Sequence, residues 1–71
     1  MTNEDSVLEE AIANLREATQ RVRATQNLMH YQGMTENVNY RELLMRLSTA
    51  LAMTEAAYVE AKSLSENRGN G

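Results

Sequence analysis

Gln32-Gly33-Met34-Thr35-Glu36-Asn37-Val38-Asn39 separates two runs of heptad periodicity, and whether this stretch bends decides between a hairpin and one continuous helix. Gly33 is the only glycine outside Gly69 and Gly71, and glycine closes helices because it takes a positive φ without a steric penalty. Upstream of it, Leu8, Ile12, Leu15, Thr19, Val22, Gln26 and Met29 recur at alternating intervals of four and three. Downstream, Tyr40, Leu44, Leu47, Leu51, Thr54, Tyr58 and Ala61 repeat the alternation. Each run keeps one stripe of a helix turned toward a partner. Two helices of equal length joined by a short connection predict an all-α fold, an antiparallel two-helix hairpin of coiled-coil character that could also dimerise into a four-helix bundle.

Local chemistry suggests the boundaries. Helix 1 is expected over about 4–32, the turn over 33–38, helix 2 over about 39–66 and a disordered tail over 67–71. Ser6 and Glu9 fit a capping box, with Asn3 as an earlier cap, and Glu4, Asp5, Glu9 and Glu10 suit the positive end of the helix dipole. Asn39 followed by Glu42 signals the second start, with Val38 and Leu43 as a hydrophobic staple around the cap. Asn67-Arg68-Gly69-Asn70-Gly71 has nothing to bury.

With 71 residues the chain is too short to bury much of its surface, and without Cys it lacks disulfides and thiolate metal ligands. Association is the remaining route to stability, either with a copy of itself, as a homodimer when alone, or with a different chain. Seven basic and ten acidic residues give a net charge of −3, which points away from nucleic acid as a partner. Arg16, Arg21 and Arg23 form the one basic grouping, interrupted by Glu9 and Glu17, and read as a mixed-charge solvated face. Met1-Thr2-Asn3-Glu4-Asp5 has neither the basic start nor the apolar core of a signal peptide, and no run approaches the roughly 20 apolar residues of a membrane span. A cytoplasmic protein with no membrane partner is the expectation.

Chemistry has little to stand on. His30 is the only histidine, explained by the negative end of helix 1, and Ser6, Ser48, Ser63 and Ser65 have no base at a recognisable spacing. Glu-x-x-His pairs and glycine-rich phosphate loops are absent. The expectation is a non-enzyme with no catalytic residues, metal, cofactor or small-molecule substrate.

Apolar surplus points to binding. The hairpin core is expected to hold Leu8, Ile12, Leu15, Val22, Met29, Tyr40, Leu44, Leu47, Leu51 and Tyr58, beside the small residues Ala11, Ala18 and Thr25 of helix 1. Helix 2 is richer: Leu43, Ala50, Ala57 and Leu64 widen its apolar arc, and Met45, Ala52, Ala56 and Val59 make a second stripe on another face. These eight are the candidate partner-binding residues, with Leu28 and Tyr31 open between local packing and contact.

Leu8-Glu9-Glu10, Gly33, Tyr40 and Ala50-Leu51 together resemble the small co-chaperones of type III secretion needle subunits, over residues 6–64. That resemblance implies a helical hairpin seated on a tetratricopeptide-like, helical-repeat chaperone. The pair would hold a needle subunit soluble and unpolymerised in the bacterial cytoplasm, with Tyr40 and Ala50-Leu51 in the helix 2 core or on its chaperone-facing surface. The alternative is a self-assembling four-helix bundle acting as a small regulator or anti-factor. It would use the Leu43, Ala50, Ala57 and Leu64 edge twice.

Overall fold

Gly33 adopts φ 70° and ψ 20°, the left-handed conformation expected of it, and the chain turns back there. The computed structural model describes the backbone of residues 3–70 and the side chains of residues 3–67. Helix α1 spans Asn3–Tyr31 and helix α2 spans Arg41–Asn70. The Gly33 N–H donates to the His30 carbonyl at 3.0 Å and the Gln32 N–H to the Leu28 carbonyl at 3.1 Å, satisfying acceptors the helix end would otherwise leave open.

Two successive 3-10 turns, Met34–Glu36 and Val38–Tyr40, carry the chain across to α2. They correct the expected second start. Asn37, extended at φ −87° and ψ 119°, accepts the Asn39 N–H on its side-chain oxygen at 2.9 Å, so Asn37 is the capping residue and Asn39 the donor. An Asn side chain reaching two residues ahead is a local turn in its own right, and it moves the α2 start to Arg41. Val38 and Leu43, the expected staple, are both exposed. At the other end of the chain, Ser6 and Glu9 lie inside α1, because the helix already begins at Asn3, and the expected capping box has no helix start to cap. Helix α2 runs past Glu66 to Asn70, where a disordered tail was expected from Asn67. Extending a formed helix needs no new nucleus, and Gly69 opposes it by only about 1 kcal/mol. Gly71 lies outside the described residues.

All fourteen seam positions, from Leu8 to Met29 and from Tyr40 to Ala61, are buried or half-buried. Only Met29, 6% exposed, and Ala61, 9% exposed, are shut off from solvent. A slab two helices wide and one helix deep, with principal extents of 51 × 14 × 14 Å, covers its seam from the facing helix alone. Thr19 and Thr54 sit within that seam, yet each hydroxyl donates to its own helix, Thr19 to the Leu15 carbonyl at 2.8 Å and Thr54 to the Leu51 carbonyl at 3.1 Å. The two threonines are thus satisfied along their own helices and leave their stretch of the seam to apolar contact.

Candidate interaction surface

The seam divides the slab into two broad faces of different chemistry. On the first, polar face, Arg23 forms an ion pair with Glu55 across the helices. Beside it, Arg16 donates to the Tyr58 hydroxyl at 3.2 Å and Gln26 donates from Nε2 to Ser48 Oγ at 3.1 Å. Exposed pairs of this sort contribute about 0–1 kcal/mol each. Their larger effect is on register: Arg16 level with Tyr58 and Gln26 level with Ser48 put Thr19 level with Thr54.

Tyr58 lies beside two cations on this face. Arg16 Cζ lies 5.9 Å and Lys62 Nζ 5.6 Å from its ring centroid, both within cation–π range. The Arg16 hydrogen bond holds the phenol below its ordinary value of 10.0, helped by the charges of Arg16 and Lys62 and opposed by partial burial.

The second face is apolar. In an antiparallel pair the flank opposite the ion pairs brings Ala11, Ala18 and Thr25 of α1 alongside Leu64, Ala57 and Ala50 of α2. Ala11, Ala18 and Ala50 are accordingly half-buried. Val7, Leu8, Ala11 and Leu64 line one groove at the end away from the turn. Along the rims of this face stand Val7, Leu28, Leu43, Met53 and Leu64, between 47% and 68% exposed. They are five of the nine large apolar side chains that stand exposed among the described residues. The rim arginines are occupied locally: Arg21 pairs with Glu17 at 2.5 Å and Arg46 with Glu42 at 2.8 Å, each one turn back on its own helix.

This division separates the candidate binding residues. Leu43, Ala50, Ala57 and Leu64 lie on the apolar face, whereas Val59 shares the polar side with Arg16, Arg23, Glu55 and Tyr58. Helical periodicity puts Met45 and Ala52 on the same side as Val59, seven residues apart, and Ala56 on the outer edge of α2. One straight partner helix does not cover both sets. A shallow groove lined by Met45, Thr49, Ala50 and Met53 wraps the back of α2 between them. Val7 and Met53 belong to the apolar face and were not among the sequence candidates; Val7 shares a heptad position with Leu28, whereas the heptad neighbours of Met53 are the charged Arg46 and Glu60, so spacing gives it no apolar signal. Tyr31 is exposed near the turn, away from either set.

Ser48 spends its oxygen on the Gln26 amide, and His30 is exposed beside a shallow recess with Asn27, Thr35 and Leu44. No group of three or more His, Cys, Asp or Glu among the described residues is placed to hold a metal ion. Arg16, Arg21 and Arg23 each already hold a partner, on Tyr58, Glu17 and Glu55 respectively. No helix among the described residues is long and apolar enough to cross a membrane. No protein-family model, curated protein or solved structure matches the chain.

Proposed function

We propose that this hairpin is a non-enzymatic binding protein that works by laying its apolar face on a helical partner. Following the resemblance in its sequence, that partner is a helical-repeat chaperone in the cytoplasm, and the two together keep a type III secretion needle subunit soluble and unpolymerised. The observation that carries the binding role is the gathering of Val7, Leu28, Leu43, Met53 and Leu64 along one face whose centre is lined by alanines. Alanine lets a second helix approach closely, and the larger side chains at the rim supply contact area.

Energetics favour the same role. With two side chains shut off from solvent among the described residues, the hairpin alone has little to offset its ordering entropy. A partner that binds only the folded form adds stability by mass action, about 2.7 kcal/mol at a hundredfold excess over its dissociation constant. Folding and binding are then coupled.

The test is co-expression of the full chain with a helical-repeat chaperone and a needle-type subunit from the same genome, followed by co-purification. A stable ternary complex, lost in Ala57→Glu and kept in Ala52→Glu, supports both the role and the face. Failure of any helical-repeat protein to co-purify with the wild-type chain refutes the co-chaperone reading. Loss in Ala52→Glu with retention in Ala57→Glu moves the contact to the Met45, Ala52 and Val59 side.

A further inference from the structure

We infer that, when no other partner holds it, the apolar face is covered by the same face of a second copy of this chain, giving an isologous four-helix bundle. This rests on reading that face as the working surface, and adds what occupies it in the free protein.

Area is the first argument. A compact protein of 8.0 kDa exposes about 4,450 Å², whereas this chain exposes 5708 Å². The excess, about 1,250 Å² per chain, is spread over the whole elongated surface and sets a scale of about 2,500 Å² for a symmetric pair, against the roughly 1,600 Å² of a standard interface. A single short peptide laid on the slab covers less than this. A second slab of the same 51 Å length covers the whole face.

Shape and charge are the second. Ala18 and Ala57 sit level near the middle of the face, with the larger Val7 and Leu64 toward one end and Leu28 and Leu43 toward the other. A two-fold axis lying between the slabs sets every helix antiparallel to the one it meets, with alanines at the waist and larger side chains closing both ends. The guanidinium groups at the rim do not oppose this, since Arg21 and Arg46 are neutralised by Glu17 and Glu42 on their own helices. The polar face, with its Arg23–Glu55 and Arg16–Tyr58 contacts, stays outward. Partner capture then becomes an exchange, in which a chaperone displaces one copy from the other.

Sedimentation equilibrium of the full chain from roughly 1 to 500 µM, with thermal melts over the same range, tests this. The expected result is a mass of two chains and a Tm that rises with protein concentration, for wild type and for Ala52→Glu alike. Ala57→Glu, and independently Ala18→Glu on the other helix, should sediment as single chains or melt at markedly lower temperature. A wild-type mass of one chain with a concentration-independent Tm overturns the inference, as does an assembly larger than two chains. So does a dimer broken by Ala52→Glu but intact in Ala57→Glu and Ala18→Glu. A monomeric wild type that still captures the chaperone through Ala57 would overturn the second copy alone and leave the co-chaperone role standing. A dimer that captures no chaperone does the reverse.

Discussion

Replacing Thr19 and Thr54 together by valine should stabilise the hairpin. The two residues are level with each other in the seam, both half-buried, and each donates its hydroxyl to a carbonyl of its own helix, Leu15 at 2.8 Å and Leu51 at 3.1 Å. Those carbonyls face the ordinary backbone donors of the helix as well, so deleting the hydroxyls orphans nothing. Valine keeps the shape and has a helix propensity close to that of threonine. A fully buried methyl is worth about 0.8 kcal/mol, and half-burial reduces this to about 0.4 kcal/mol. Removing a hydroxyl that was partly desolvated adds a similar amount, for about 1.6 kcal/mol in the double variant. For a domain of this size each kcal/mol moves Tm by roughly 4 to 8 °C. Circular dichroism melts at one fixed protein concentration would read it. A Tm equal to or below that of wild type would refute the reasoning, and would mean the hydroxyls bridge the seam.

Other consequences follow from single contacts. Gly33→Ala should lower stability by about 1 kcal/mol in chemical denaturation, because a Cβ there meets nothing within 4 Å and the penalty comes from φ +70° alone; Gly33→Asn should lose less. Asn37→Ala should lose about 1 kcal/mol with the cap on the Asn39 N–H, whereas Asn39→Ala should be nearly neutral, a comparison that checks which asparagine caps the turn leading into α2. Phenolate absorbance during alkaline titration should show one tyrosine ionising below 10.0, absent in Tyr58→Phe and shifted upward in Arg16→Gln. The sign is that of a depressed acid: ionised Tyr58 adds stability only above the ordinary tyrosine value, the gain vanishes as pH falls through the lowered folded value, and nothing is contributed at neutrality.

The seam was legible residue by residue, because a long four-three alternation leaves one solution for which stripe is covered, and the polar members Thr19, Gln26 and Thr54 take their places in it with their side chains satisfied. The turn at Gly33 was legible for the same kind of reason, since one residue type suits the required φ. Asn37 and Asn39 were not separable, because capping depends on which asparagine is extended, and both have the same side chain two residues apart. Nor did the pattern show that Ala11 and Ala18 share a face with Ala57 and Leu64. Each helix shows its own apolar arc, but which flank of one abuts which flank of the other appears only once cross-helix partners such as Arg23 and Glu55 are fixed. The α2 surplus read as one broad arc is therefore split between two faces.

The single bend has a consequence for the order in which the molecule assembles. Each seam pair closes a loop through Gly33, from about 15 residues for Met29 with Leu44 to about 49 for Ile12 with Ala61, so closure entropy rises by about 1 kcal/mol from the first pair to the last. Pairs near the bend therefore form first, and each one shortens the search of the next. The hairpin behaves as a zipper with a shut end and an open end. Its open end, framed by Val7, Leu8, Ala11 and Leu64, is the last to engage and the first to part.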